Sequence, residues 1–279
     1  MKTILLTGAT GFLGKKILDD LNSRDVNIHV ISRKNESFFS DYQNVTKVIK
    51  TRNFFTESAK WYANICKDVN IIVHAAWYAE PGKYLESNIN IECLSGTVNF
   101  AKVAAEQKVD KFVGVGTCFE YDLTSGLPLK TDSKLDPLFL YSITKNSTFQ
   151  ILKKIFQNKK IDFLWTRVFY LYGDGEDRRK LVAVLRAKLS EGKSVELTSG
   201  TQIRDFMDVK LAGSLIADAA ISKNVGPFNV CSGIGISIRE LAENIADEYG
   251  RRDLLLFGAR EDNLADSPYV VGVKSEIIK

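Results

Sequence analysis

The sequence predicts an α/β fold: a Rossmann-like, doubly wound parallel sheet with a smaller α/β lobe towards the C-terminus. Three observations carry that expectation. The stretch KTILLTGATGFLGKK at residues 2–16 is an apolar strand that runs into Gly8, Gly11 and Gly14 and then, from Lys15, into a helical period. Strand and helix signals alternate over roughly the first two thirds of the chain, as in a parallel sheet covered on both faces. Beyond Gly173 the pattern changes to shorter elements. The expected division is 1–170 for the sheet-forming part and 171–279 for the lobe, interleaved with it.

Strand, glycine turn and helix, in that order, suit a dinucleotide. Gly8 permits the tight turn, and Gly11 lets a pyrophosphate approach the backbone. Gly14 lets the helix pack close to the sheet, and the helix N-terminus offers unpaired N–H groups to the anion. The expected cofactor contacts in the turn are Gly8, Thr10, Gly11, Phe12 and Leu13. The second strand, 27–32, ends in Ser32, Arg33 and Lys34 with no carboxylate. An acidic residue there bonds the adenine-ribose hydroxyls, whereas a basic one accommodates a 2′-phosphate. NADP(H) is therefore expected in preference to NAD(H), with Ser32 and Arg33 among its contacts. The alternative is a solvated charge pair in a loop.

Residues 45–49 read as a third strand and 57–66 as a helix. The fourth strand, 70–76, ends in the small Ala75 and Ala76, against which a cofactor can lie; His74 within it reads as a packed core histidine. Residues 77–82 turn and place Trp77 and Tyr78 at the sheet's C-terminal edge. A helix over 84–107 and a fifth strand over 111–116 follow, and Thr117 comes directly after. Past a loop rich in Gly, Pro and Asp, a helix over 141–157 opens with Tyr141 and Lys145, four apart on one face. The sixth strand is 162–168. In the second region, 178–191 reads as a helix, 194–197 as a short strand, and 201–209 as a strand leading into a helix through Ile221. A strand at 227–231 and an amphipathic helix at 237–249 with a Ser N-cap come next. Residues 260–279 read as polar and irregular.

Composition narrows the function classes. A net charge of +4 gives no reason to invoke nucleic acid or an anionic membrane surface. The first residues carry no signal-peptide pattern, and no run reaches membrane-spanning length. The four cysteines, Cys66, Cys93, Cys118 and Cys231, lack CxxC spacing and read as reduced thiols of a cytoplasmic protein. With two histidines and no cluster at ligand spacing, a metal enzyme is not expected.

TGATGFLG at 7–14, HAA at 74–76, Thr117 four before Tyr121, YSITK at 141–145 and RDFMDV at 204–209 form an ordered set. Together they resemble the extended short-chain dehydrogenase/reductase family, in its nucleotide-sugar-modifying epimerase/dehydratase branch, over essentially the whole chain. The resemblance implies a cofactor domain, a C-terminal lobe for a nucleoside-diphosphate sugar, and a homodimer through the helices at 84–107 and 141–157. It also implies that this chain stops short of the family's usual C-terminus.

The family's catalytic triad falls on Thr117, Tyr141 and Lys145. Hydride transfer to a ketone leaves an alkoxide that needs a proton. Tyr141 would supply it if the Lys145 ammonium draws its pKa down from about 10. Lys145 would also bond the nicotinamide ribose, and Thr117 would orient the carbonyl. Asn53, beside Phe54, stands where an aspartate often contacts adenine. Arg204 matches the family's pyrophosphate-binding arginine, the alternative being an ion pair with Asp205 or Asp208. Arg260 is a second candidate phosphate ligand, and Tyr170, in the turn Tyr170-Leu171-Tyr172-Gly173, implies a changed substrate pocket.

Where the family's 4,6-dehydratases place an acidic pair after the threonine, this chain has Cys118 and Phe119, which argues against dehydration. The expected activity is NADPH-dependent reduction of the 4-keto group of a nucleotide-linked 4-keto-6-deoxyhexose, for deoxysugar or lipopolysaccharide synthesis. The alternatives are a nucleotide-sugar 4-epimerase with tightly bound NAD and a non-catalytic NADP-binding regulatory protein. The intact Thr117, Tyr141 and Lys145 count against the last.

Overall fold

A computed structural model describes residues 1–263 and 266–278. The first strand, β1 (Lys2–Thr7), forms where three apolar residues must be covered on both faces: Ile4 and Leu6 enter one core, Leu5 the other. The chain continues through α1 (Phe12–Leu21), β2 (Val26–Ser32), β3 (Val45–Lys50), α2 (Ala59–Cys66), β4 (Ile71–His74) and α3 (Ile89–Glu106). Then come β5 (Lys111–Thr117), α4 (Leu140–Lys159), β6 (Asp162–Val168), β7 (Tyr170–Tyr172), α5 (Leu181–Ser190), β8 (Val195–Leu197) and β9 (Ile203–Asp208). The last elements are α6 (Val209–Ile221), β10 (Gly226–Val230), β11 (Gly235–Ser237), α7 (Ile238–Asp247), β12 (Leu255–Phe257) and β13 (Tyr269–Val270).

Seven strands form one parallel sheet in the order β10-β6-β5-β4-β1-β2-β3. The winding reverses between β1 and β4. The connections leaving those two strands diverge and open a crevice at their carboxyl ends, where α/β sheets bind ligands. α1 and α6 pack together on one face, over Ile4, Leu6, Ile28, Val30 and Val73. α2, α3 and α4 cover the other, which is aromatic: Phe112 stacks on Phe156 at 4.9 Å and Phe149 on Phe163 at 6.1 Å between ring centres. Among the described residues no helix is long and apolar enough to cross a membrane.

The doubly wound class is as the sequence reads, and the differences have local causes. α1 starts at Phe12 rather than Lys15 because Gly11 is its N-cap, so Gly14 lies in the first turn. The helix expected from residue 84 starts at Ile89: the Asn90 amide donates to the Tyr84 and Ser87 carbonyls and locks the preceding segment as a turn. The strand expected at 227–231 is β10, and it pairs with β6 at the edge of the main sheet. The chain therefore returns from the lobe to the first layer. In the lobe, β9 is central and pairs with β7, β11 and β13, while β8 pairs with β12 and α5 packs on α7. β7, β11, β12 and β13 have two or three residues each, too few to show a period.

Candidate active site

A cavity of about 540 Å³ lies between the carboxyl ends of the central strands and the lobe. Gly8, Gly11, Phe12, Leu13 and Ala75 border it at the turn. Gly8 has φ +74°, and a Cβ there would lie 2.7 Å from the Ala76 nitrogen. A Cβ on Gly14 would lie 2.0 Å from the Gly8 carbonyl oxygen, so the helix reaches this close only without a side chain. No side chain caps α1, and its first N–H groups face the turn. A Cβ at Gly8 or Gly14 would disrupt this turn, whose bare backbone and uncapped helix N-terminus are the kind of donor set that a dinucleotide pyrophosphate takes.

The turn is tied to the next strand from beneath. The Ala76 N–H donates to Thr7 Oγ1 at 3.1 Å, and His74 lies between Thr7 Oγ1 and Thr97 Oγ1, 2.9 Å from each. Burial, with the Lys145 charge adding to it, pulls His74 down to about 3, so the ring is neutral and serves as a bridge. His74 is a core histidine as expected, and its role in joining β1, β4 and α3 is additional.

Thr117 ends β5, Tyr141 and Lys145 sit on the first turns of α4, and all three border the cavity. The Thr117 N–H donates to Glu120 Oε1 at 2.8 Å, and the Thr117 hydroxyl accepts the Phe119 N–H at 3.3 Å. Tyr84 packs edge-on against the Tyr141 ring at 4.8 Å. The Lys145 Nζ donates to the Val115 carbonyl at 2.7 Å and lies 3.8 Å from the centre of the Trp77 ring. Trp77 is in turn held by its Nε1–H, which donates to Asn90 Oδ1 at 2.9 Å.

The electrostatics differ from the sequence expectation. Burial, followed by neighbouring Tyr84, pushes the Tyr141 phenol far above its usual range, while a side-chain hydrogen bond with Thr117 pulls the other way. Burial draws Lys145 down to about 7 against the opposing pull of Cys93 and Glu120. Lys145 stands one turn from Tyr141, but it faces β5 and Trp77, 5.9 Å from the Tyr141 ring centre. Desolvation outweighs it here.

The lobe contributes Tyr170 and Arg204. Arg204 is 3% exposed, and its guanidinium lies 5.5 Å from the Tyr170 ring centre. Its ion-pair partner is Asp266, at 2.7 Å, rather than Asp205 or Asp208. Asp205 accepts N–H groups from Ser232, Gly233 and Gly272, and Asp208 caps α6. Cys118 and Phe119 also border the cavity, so no carboxylate follows Thr117 on the wall. Tyr84 and Asp266 are cavity residues that pattern reading missed, and both reach it from irregular segments; Trp77, which the sequence puts at the sheet's carboxyl edge, gains its contact with Lys145.

Other expected contacts lie outside this cavity. Thr10 is exposed at the tip of the turn, and Ala76 closes over Gly8 from beneath. Ser32 Oγ accepts the Lys34 N–H at 2.8 Å, and Arg33 is exposed. The Asn53 side chain accepts the Phe55 N–H. The Phe54 ring is packed in the aromatic core, 5.3 Å from His74 and 5.0 Å from Phe100. Arg260 is exposed just past β12 and does not border the cavity.

The sequence profile of the NAD dependent epimerase/dehydratase family matches residues 4–227. The chain belongs to this family. It is an NAD(P)-dependent oxidoreductase. A curated relative, dTDP-6-deoxy-L-talose 4-dehydrogenase (NAD(+)) of Aggregatibacter actinomycetemcomitans, is 24% identical over 273 residues, covering 97% of this chain and 99% of its own. Among solved structures, the UDP-N-acetylglucosamine 4-epimerase of Methanobrevibacter ruminantium aligns with TM-score 0.84 at 21% identity, over 98% of this chain and 89% of its own. DesIV of Streptomyces venezuelae, a dTDP-glucose 4,6-dehydratase solved with NAD, aligns with TM-score 0.82 at 18% identity, over 98% and 88%.

The cofactor expectation is corrected by these family structures. DesIV, MoeE5 and the Bordetella bronchiseptica enzyme WbmG all hold NAD, which overturns the preference for NADP inferred from Ser32-Arg33-Lys34. The physical reason is visible at the end of β2. Arg33 and Lys34 are exposed, and the Ser32 hydroxyl is engaged with the local backbone, so the basic pair has the character of a solvated loop.

Proposed function

We propose that this enzyme oxidises and re-reduces C4 of a nucleotide-linked hexose with NAD, acting as a nucleotide-sugar 4-epimerase. The observation that supports it is the convergence of Thr117, Tyr141 and Lys145 with the glycine turn and Arg204 on one cavity. Bound at the turn, NAD(H) supplies a hydride acceptor and donor. Tyr141 Oη is the group placed to take the C4 hydroxyl proton as the carbonyl forms and to return it when the carbonyl is reduced from the other face. Burial favours the neutral phenol in the free protein, so this role requires the phenolate to be stabilised once the site is loaded. The Thr117 hydroxyl donates to that oxygen and holds it in line. Arg204 binds the diphosphate through its guanidinium. Cys118 and Phe119 supply no acid–base pair for removing water, which separates this site from a dehydratase. Both the 4-dehydrogenase and the 4-epimerase relatives are named for chemistry at position 4 of a nucleotide sugar.

A second reading, reduction of a nucleotide-linked 4-keto-6-deoxyhexose with exchange of NAD(H), is favoured by one observation. The 4-dehydrogenase relative matches this chain nearly end to end.

The test is to unfold the purified protein and assay released NAD, then incubate native protein with UDP-, dTDP-, CDP- and GDP-hexoses. Conversion to the 4-epimer without net change in reduced nicotinamide supports the epimerase. Consumption of NADH on a 4-keto sugar, with no epimer formed, replaces it with the reductase. We also propose a homodimer through α3 and α4, which pack together and leave Ile89, Ile91, Ile143 and Ile151 exposed. Sedimentation at monomer mass at micromolar concentration overturns this. The four cysteines are free and buried, which supports a reducing, cytoplasmic setting.

A further inference from the structure

One buried amide beside the site is not used by the reaction as described. Asn90, in the first turn of α3, is 0% exposed. Its Oδ1 accepts the Trp77 Nε1–H at 2.9 Å, and its Nδ2 donates to the Tyr84 carbonyl at 2.6 Å and the Ser87 carbonyl at 2.9 Å. An indole N–H needs an oxygen and the two carbonyls need N–H groups, so the amide fits one way round only. Trp77 itself lies in 75–80, which has no regular secondary structure. Side-chain contacts therefore decide where the indole sits: Asn90 holds its N–H, and the Phe55 ring meets it edge-on at 6.4 Å. Its face is turned to Lys145, whose Nζ lies 3.8 Å from the ring centre and donates to the Val115 carbonyl at 2.7 Å. Lys145 is 4% exposed. A ring face attracts an ammonium, and does so more strongly where water is excluded.

We propose that Trp77, oriented by Asn90, is a positioning residue whose indole face seats the Lys145 ammonium at the carboxyl end of β5, where the cofactor lies. A lysine stem is flexible and its charge is a point, so nothing in the side chain itself fixes the ammonium. The ring and the Val115 carbonyl close on it from two sides, and neither is a carboxylate that would compete with the phosphates of a nucleotide. The inference rests on the proposed role of Lys145 towards NAD, but its first readout needs neither that role nor a sugar.

The first experiment is a thermal unfolding cycle on NAD-loaded wild type, Trp77→Leu, Lys145→Met and the double variant. It is run near pH 6, because burial draws Lys145 down to about 7 and a ring face holds only the charged form. Trp77→Leu should lower Tm by about 2–4 °C more when Lys145 is present than when methionine replaces it. Equal losses in both backgrounds overturn the seat, since lost packing alone gives that result. The second experiment repeats the cycle on NAD affinity by calorimetry. Trp77→Leu should weaken NAD about three- to tenfold in the wild-type background and less than about twofold in Lys145→Met. A loss of the same size in both means that Trp77 touches the cofactor directly, and overturns the positioning role. An NAD affinity unchanged by Lys145→Met, beside a coupled Tm cycle, keeps the seat and removes Lys145 from cofactor binding. Trp77→Phe keeps a ring face and lacks the N–H, so its NAD affinity should fall between wild type and Trp77→Leu; affinity equal to wild type overturns the part of Asn90. With a sugar substrate, Trp77→Leu should lower kcat about tenfold at unchanged KM, whereas a loss confined to KM makes Trp77 a substrate contact and overturns the inference. Coupled cycles in a protein inactive on every nucleotide sugar leave the inference standing and sink the proposed function.

Discussion

The cavity wall that comes from the main sheet offers backbone groups and buried hydroxyls, whereas the wall from the lobe offers side chains whose charge is already engaged. On the sheet side, Gly8, Ala75, Thr117 and Lys145 are set by strand ends and by hydrogen bonds to other buried groups. On the lobe side, Arg204 is buried, but its counter-ion Asp266 is 46% exposed and must leave before an anion of similar charge can take its place. In the proposed reaction the first wall is preorganised for chemistry, and the second is set to exchange partners.

The largest effect expected from this contrast is at the preorganised wall. Tyr141→Phe removes one oxygen and keeps the ring that packs against Tyr84. We expect kcat to fall by about 10²–10⁴, with calorimetric affinities for NAD and for a nucleoside diphosphate unchanged. Weakened binding with kcat preserved would erase the distinction between the two walls.

A smaller effect of opposite sign is expected at the other wall. Asp266→Asn removes the carboxylate that competes for Arg204, so UDP or dTDP should bind about three- to tenfold tighter. Arg204→Met should weaken the same ligands, and neither change should alter NAD affinity. If Asp266→Asn weakens diphosphate binding, the aspartate is a fixed support for Arg204 and the lobe wall is as preorganised as the sheet wall.

Much of the sheet wall was legible in the sequence because its determinants are local. The apolar run before Gly8, the spacing of Tyr141 and Lys145, and Thr117 at a strand end all lie within a few residues of one another or of an element boundary. Arg33 shows the limit of that approach: a basic residue at a strand end suits either a phosphate contact or a solvated loop, and residue type alone does not choose between them. Other features were hidden because they are contacts between distant segments. Asp266 meets Arg204 only because β13 pairs with β9. Gly116 is small because Trp165, one strand away, fills the space above it. β10 joins the first sheet through register with β6, which no property of residues 226–230 announces.

Two buried lysines bond at opposite ends of β5, one inside the proposed site and one outside it. Lys145 donates to Val115 near the strand's carboxyl end, inside the cavity. Lys111 begins the strand at the far edge of the sheet, where its ammonium donates to the Ala219 and Ser222 carbonyls at the end of α6. Burial, only partly offset by Asp162, brings Lys111 down to about 8, against about 10.4 in an unfolded chain. Below about pH 8 both states hold the proton, and the cost of burying the charge is fully present. Between those values the unfolded chain binds more protons than the folded one, so folding stability rises with pH through that window. Lys111→Met removes this slope. The gap between wild type and variant should move in favour of wild type by a few degrees in Tm from pH 8 to 10, since ~1 kcal/mol shifts a protein of this size by about 2–4 °C. NAD affinity should be the same in both. A gap constant across the window would mean that the two carbonyl bonds keep Lys111 charged in the folded state. The lysine would then be a helix cap, and its contribution to stability would not depend on pH in this range.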